Sequence, residues 1–136
     1  MYRRSTGFAQ RTQAGFERAA RAHGLRAATW GPCDPAPGAI QATVATLLGQ
    51  RPRLDGVVVH NEAALGPLLD AFRAAGRRIG EDLSVLAMCP DDLAGQATPA
   101  LTSIAIPAEE MGRQAVGLLM AKLDGQPAPA VTLRRG

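Results

Sequence analysis

Aromatic, amide, thiol and carboxylate side chains follow the ends of three predicted β-strands in this sequence. The loops are Trp30–Asp34, His60–Glu62 and Cys89–Asp92, and their candidate ligand-binding residues are Trp30, Asn61, Cys89, Asp91 and Asp92. In an open parallel sheet, ligands bind beyond the carboxyl ends of the strands. An aromatic wall with a few polar groups can orient a small polar molecule there. The sequence therefore predicts a ligand-binding site built from these loops.

Two of these residues have an alternative structural role. Trp30 is the single tryptophan, and its indole can either stack on the apolar face of a sugar or pack as a core residue at a strand end. Asn61 can bind ligand hydroxyls through its amide and can also cap the helix that follows, and the two roles are compatible. Glu62 is expected to complement the dipole of that helix.

The cysteines and histidines do not predict a metal or catalytic centre. Cys33 and Cys89 have no Cys-x-x-Cys spacing, and His23 and His60 are isolated. The sequence contains neither a Gly-x-Ser-x-Gly motif nor a P-loop. A Cys89–His60 dyad is geometrically conceivable, because both residues follow strand ends. We nevertheless expect a protein that is not an enzyme and that needs no metal or cofactor.

The composition is that of one globular domain. The chain has 136 residues, of which 46% are hydrophobic and 20% charged, and no apolar run is long enough for a membrane span. The net charge of +3 comes from scattered arginines, with Lys122 the single lysine, which is typical of a GC-rich genome rather than of a nucleic-acid-binding face. No apolar segment follows the first residues, so we expect a cytoplasmic protein without a secretory signal.

Apolar periodicity predicts helices and strands in alternation. The predicted helices are Ala9–His23, Ala39–Gln50, Ala63–Ala75 and Pro107–Asp124, and the predicted strands are Ala27–Trp30, Gly56–His60, Ser84–Met88, Thr102–Ile106 and Val131–Leu133. The β-branched run from Gly56 to His60 is typical of a strand buried on both faces. Pro67 should make the first turn of the third helix irregular. This alternation, with short connections, predicts an α/β fold: a three-layer, doubly wound parallel sheet.

Two motifs in this order resemble the effector-binding domain of LacI/GalR-family transcriptional regulators. One is Asn61-Glu62-Ala63-Ala64-Leu65-Gly66, and the other extends from Glu81 through Pro99-Ala100-Leu101-Thr102-Ser103 to Gly112. The resemblance implies the C-terminal subdomain of a periplasmic-binding-protein-like fold. It implies that residues 1–106 form this subdomain, that residues 107–125 form a helix that packs on an N-terminal subdomain, and that residues 126–136 form a return strand and tail.

The same resemblance implies effector contacts at Arg11, Trp30, Asn61, Cys89, Asp91 and Asp92. Two positions depart from the family pattern. Cys89 and Pro90 stand where the family has acidic residues, so the carboxylates of Asp91 and Asp92 come two residues late. Arg11 lies four residues before Gly15 rather than three, about 100° further around a helix. These departures put a sugar effector in question.

The resemblance implies the effector-sensing and dimerisation part of a DNA-binding transcriptional regulator, with the helix-turn-helix head outside this chain. The expected partners are a small-molecule effector, a sugar or related polar metabolite, and a second copy of the chain. DNA would be bound only through the head, and no membrane is expected. The alternative is a sugar-binding protein of a transport system with the same fold. A small α/β enzyme is a third possibility, but the sequence contains no catalytic motif that would support it.

Overall fold

A computed structural model describes residues 6–31, 36–50 and 53–127 of the chain. The chain divides into two compact units between Ile104 and Ala105. In the first unit the elements are α1 (Gly7–Ala22), α2 (Pro37–Leu48), β1 (Gly56–Val59), α3 (Glu62–Ala74), β2 (Ser84–Ala87), α4 (Asp91–Gln96) and β3 (Thr102–Ser103). The second unit contains α5 (Ala108–Leu123).

The three strands form a parallel sheet in the order β1-β2-β3. Val57 pairs with Val85, and Val59 with Ala87, while β3 pairs with the end of β2 through Thr102 and Ser103. The parallel α/β architecture predicted from the sequence is confirmed. The prediction that Gly56–His60 is buried on both faces is wrong, because Val58 is exposed while Val59 is buried.

The core of the first unit lies between the sheet and the helices α2 and α3. Ile40 of α2 and Phe72 of α3 are fully buried in one cluster with apolar residues of β1 and β2. Helix α2 starts at Pro37, two residues earlier than predicted, because proline suits the first turn of a helix. Helix α3 continues through Pro67 without a break, so the irregular first turn expected there is not found.

An arginine cluster around Asp82, which we call the Asp82 clamp, lies at the amino ends of β1 and β2. The carboxylate of Asp82 accepts a hydrogen bond from the Arg78 backbone N–H at 3.0 Å and lies 3.3 Å from Arg77 Nε. The latter contact is an ion pair without hydrogen-bond geometry. Arg77 also donates to the carbonyl oxygens of Leu54, at 2.5 Å, and Asp82, at 2.9 Å. The clamp therefore joins the segments that lead into the two strands.

Three predicted elements differ from the structure. The predicted strand Ala27–Trp30 is wrong, since these residues are exposed and pair with no strand of the described chain. The strand predicted at Thr102–Ile106 is limited to Thr102–Ser103, where β2 supplies pairing partners. Residues 91–96, for which no helix was predicted, form α4. The predicted strand Val131–Leu133 lies outside the described residues.

Helix α5 of the second unit matches the predicted helix Pro107–Asp124 to within one residue at each end. Pro107 precedes the first turn, which carries Glu109 and Glu110, and Lys122 lies in the last turn. These charges complement the helix dipole at both ends. None of the residues of α5 is buried. In the part of the chain that the structure describes, no helix has the length and apolar character that crossing a membrane requires.

Candidate functional site

The carboxyl ends of the three strands meet at one edge of the sheet, which we call the carboxyl edge. The Met88 N–H donates to the carbonyl of Val59 at 2.8 Å, and the Ile104 N–H donates to the carbonyl of Ala87 at 2.8 Å. The residues that directly follow each strand are therefore neighbours. Parallel pairing thus brings Asn61, Cys89 and Ser103 to the same edge, where open sheets of this kind bind ligands.

Asn61 serves as the N-cap of α3. Its side-chain Oδ1 accepts a hydrogen bond from the Ala63 N–H at 3.1 Å, and its backbone is extended. The capping role predicted for Asn61 is confirmed. The cap uses the amide oxygen and does not use the amide nitrogen, so the side chain keeps a donor for a ligand. Glu62 lies in the first turn of α3 and is exposed, where its charge complements the helix dipole.

Asp91 and Asp92 are the first two residues of α4 and are both exposed. The Ser103 hydroxyl at the end of β3 donates to Asp91 Oδ1 at 2.7 Å. The two-residue delay of these carboxylates relative to the family pattern therefore still leaves Asp91 beside the end of a strand. Ser103 was not among the predicted site residues. The predicted strand Thr102–Ile106 placed Ser103 near a strand start, and only the shorter β3 of the structure places it at a strand end.

Cys89 is buried, with an exposed fraction of 3%. Burial raises the pKa of the Cys89 thiol, and the negative charges of Glu62, Asp91 and Asp92 raise it further. A nucleophilic cysteine requires the opposite shift. The Cys89–His60 dyad is therefore not supported by the structure, and Cys89 is a neutral core residue beneath the carboxyl edge.

The segment that ends in Trp30 is anchored to α1. Thr29 Oγ1 donates to Glu17 Oε1 at 3.2 Å, and Gln13 Nε2 donates to the same oxygen at 2.8 Å. Both hydrogen bonds lower the pKa of the Glu17 carboxyl, and the bond from Gln13 has the larger effect. Trp30 itself is 43% exposed, so the alternative of a tryptophan buried in the core is wrong.

Arg11 lies on the first half of α1 and is exposed. Its guanidinium bends back toward the start of the helix, since Nη1 lies 3.6 Å from the position that a Cβ on Gly7 would occupy. The neighbouring Phe8 contacts His60, with ring centroids 5.2 Å apart. The start of α1 therefore contacts the residue that follows β1. Phe8 and His60 are further residues of this edge that the sequence analysis did not select as site residues.

The site contains no arrangement typical of a metal centre. Within residues 6–31, 36–50 and 53–127, no three His, Cys, Asp or Glu side chains are grouped so that they could hold a metal ion. The chemistry that the carboxyl edge offers is therefore hydrogen bonding through amide, hydroxyl and carboxylate groups. An arginine and an exposed indole belong to the adjoining segments.

Comparison with known proteins identifies the family. The sequence model described as "Periplasmic binding protein-like domain" matches residues 1–135. The chain belongs to this family. The LacI-type resemblance of the motifs at Asn61–Gly66 and Glu81–Gly112 is confirmed, since the relatives described below are regulators of that type.

Among curated proteins, the HTH-type transcriptional regulator CelR of Thermobifida fusca is 33% identical over 92 residues, which are 68% of this chain and 27% of CelR. A LacI-family regulator from Bifidobacterium animalis has the same fold, with a TM-score of 0.82 and 23% identity over 92% of this chain and 46% of its own. The CelR–cellobiose complex aligns with a TM-score of 0.71 and 28% identity over 87% of this chain and 37% of its own. The chain thus spans between a quarter and a half of these relatives.

Proposed function

We propose that this chain is part of the effector-binding domain of a LacI-family DNA-binding transcriptional regulator. Its carboxyl edge would form one wall of the effector cleft. The observation that carries the proposal is the cluster of polar groups at that edge, on a periplasmic-binding-protein-like fold whose relatives are transcriptional regulators. In this role the protein is cytoplasmic, and DNA is contacted through a helix-turn-helix head rather than through this domain.

The proposed effector contacts are Arg11, Trp30, Asn61, Asp91 and Asp92. Trp30 supports a stacking contact because its indole is partly exposed. Asn61 supports a hydrogen bond through the amide nitrogen that its cap does not use. The thiol of Cys89 is buried, so we place it behind the cleft wall and not against the effector.

The effector class that we propose is a sugar or a related polar metabolite. Amide and carboxylate groups beside an exposed indole suit a molecule with several hydroxyls and an apolar face. CelR, of which a cellobiose complex is known, is a relative with this fold. A transport-associated binding protein would use the same fold, but the regulator is favoured because the relatives compared above are regulators.

Fluorescence of Trp30 tests the cleft, because this residue is the single tryptophan. We expect iodide to quench part of the emission of this chain. In a regulator that contains the chain, we expect the emission to change when cellobiose is added. A Trp30→Phe variant is the control, and both signals should vanish in it. An emission maximum typical of a dry core that does not respond to iodide would contradict the proposed contact.

DNA binding tests the proposed function as a whole. A regulator that contains this chain should bind a DNA fragment from its own promoter region, and its effector should change that affinity. This chain without a head domain should not bind the fragment in a gel-shift assay. Specific DNA binding by the chain itself, or a parent gene without a helix-turn-helix segment, would contradict the proposal.

A further inference from the structure

His60 has an unusual environment at the carboxyl edge. It directly follows β1 and precedes Asn61, so its backbone lies where ligands bind in open parallel sheets. Its Nε2 atom is buried, and in the described structure it has no hydrogen-bond partner. More than nine in ten buried polar groups in proteins have a partner. The missing partner at His60 therefore requires an explanation.

The neighbouring groups do not supply that partner. The Oδ1 atom of Asn61 is engaged by the N–H of Ala63 in the cap of α3. The adjacent ring is that of Phe8, with centroids 5.2 Å apart and planes inclined by 43°, and a phenyl ring offers no conventional donor or acceptor. An apolar neighbour without a hydrogen bond makes the burial of an imidazole nitrogen unfavourable.

The contact between Phe8 and His60 can be broken by movement of the Phe8 side chain. Phe8 lies in the first turn of α1, and 47% of it is exposed. Rotation of its ring away from His60 would not open the core, which is built from α2, α3 and the strands. Movement of this one exposed side chain would therefore uncover the face of the imidazole that Phe8 contacts without disturbing the core.

We propose that His60 is a specificity-determining residue of the effector cleft, whose Nε2 pairs with a hydroxyl group of the effector. This inference rests on the proposed effector-binding function. A hydroxyl both donates and accepts, so it can pair with either neutral tautomer of the imidazole. The unpaired nitrogen of the free protein is then the group that selects a hydroxyl at this position, since an analogue without that hydroxyl would leave it unpaired.

Thermal unfolding of this chain without ligand tests whether the nitrogen is unpaired. The His60→Leu variant places an apolar side chain against Phe8 and removes the imidazole nitrogen. We expect its Tm to rise by about 2 °C or more. The matched control is His23→Leu at the exposed end of α1, for which we expect a change below about 1 °C. A lower Tm for His60→Leu would show that a protein group or water already satisfies the nitrogen, and it would overturn the inference.

Cellobiose titration of a regulator that contains this chain tests the contact itself. We expect His60→Leu to weaken binding about tenfold, which corresponds to one lost hydrogen bond. His60→Gln, which retains a polar group at the end of the side chain, should restore binding to within about threefold of wild type. Equal affinities of wild type and His60→Leu would overturn the role of His60 while leaving the proposed function intact. If wild type does not bind cellobiose, cellobiose is excluded as the effector, and the sign of the Tm change then decides the inference.

Discussion

At the scale of single residues, the polar groups of the carboxyl edge also hold the backbone in place. The oxygen of Asn61 caps α3, and the carboxylate of Asp91 accepts the hydroxyl of Ser103. Each of these groups is therefore oriented before any ligand arrives. A preoriented group loses less side-chain entropy when it binds, so the two contacts would also favour binding of the proposed effector.

Removal of the Asp82 carboxylate should lower the stability of the protein considerably, because it breaks the Asp82 clamp. Asp82 is 22% exposed and its partner Arg77 is 11% exposed, so Asp82→Ala leaves a nearly buried guanidinium with part of its partners missing. We expect the free energy of unfolding to fall by about 2 kcal/mol, measured by urea denaturation.

The matched control for the clamp is Asp70→Ala. Asp70 also pairs with an arginine, Arg73, but it is 77% exposed. Exposed ion pairs contribute little, so we expect a loss of about 0.5 kcal/mol or less. Equal losses for the two variants would contradict the structural role of the clamp.

Cys89 should be a slow nucleophile in the folded protein. Its pKa is raised, first by burial and then by the carboxylates of Glu62, Asp91 and Asp92, so little thiolate forms at neutral pH. In a Cys33→Ser background, we expect iodoacetamide to modify Cys89 slowly at pH 8 and much faster in urea. Fast modification of the folded protein would contradict the buried position.

The raised pKa of the Cys89 thiol makes the stability of the protein depend on pH. The pKa of the thiol is higher in the folded than in the unfolded chain, so the folded chain holds the proton more tightly. The contribution of Cys89 is complete below the ordinary thiol pKa and is lost as the pH rises above it. Urea denaturation at increasing alkaline pH should show a smaller loss of stability in a Cys89→Ala variant than in wild type.

At the scale of helices and strands, local patterns predicted the elements that carry their own signal. The sequence showed the apolar spacing of α2, the cap and apolar stripe of α3, and the proline at the start of α5. The motif at Asn61–Gly66 also located the cap that lies at the candidate site. These features depend on neighbours in the chain and therefore need no tertiary information.

The features that the sequence did not predict depend on distant partners. Ala27–Trp30 pairs with none of the described strands, although β1 is an edge strand of the sheet. Pairing depends on contacts between distant segments, which a local sequence pattern does not report. Helix α4 has six residues, too few for a periodic apolar stripe. His60 contacts Phe8, which is 52 positions away in the chain, and neither this contact nor the unpaired Nε2 has a local signature in the sequence.

Because Asn61 caps α3, substitution of Asn61 should lower stability more when the new side chain has no hydrogen-bond acceptor. Replacement by alanine removes the acceptor for the Ala63 N–H, and loss of such a cap costs about 1 kcal/mol. Asn61→Asp keeps an acceptor at the same place and should retain most of the stability. Urea denaturation of the two variants measures the difference. A loss in Asn61→Asp equal to that in Asn61→Ala would contradict the capping role.

At the scale of the whole molecule, the exposed apolar side chains of α5 predict self-association. Met111, Leu119 and Leu123 are all exposed on this helix, and burial of one such side chain contributes about 1.5–3 kcal/mol. We therefore expect a homodimer of this 14.2 kDa chain, through α5, in light scattering coupled to size exclusion at tens of micromolar.

Two variants distinguish this helix from other surfaces. Leu119→Glu combined with Leu123→Glu should shift the protein to a monomer. Lys122→Glu changes charge in the same turn, removes no apolar surface, and should leave the dimer unchanged. A monomer for the wild-type chain would contradict the prediction, and a dimer in the double variant would place the contact elsewhere.

Helix α1 is little buried against the rest of the chain, and this favours its local unfolding. Within α1 only Ala20 is buried, and the segment from Arg21 to Gly31 that follows it is exposed throughout. Such a region should unfold locally without the rest, so its amides should exchange with deuterium faster than those of β2. Trypsin should then cut after Arg26 while residues 36–50 and 53–104 keep their structure. That single cut would detach the helix that carries Arg11 from the edge that carries Asn61.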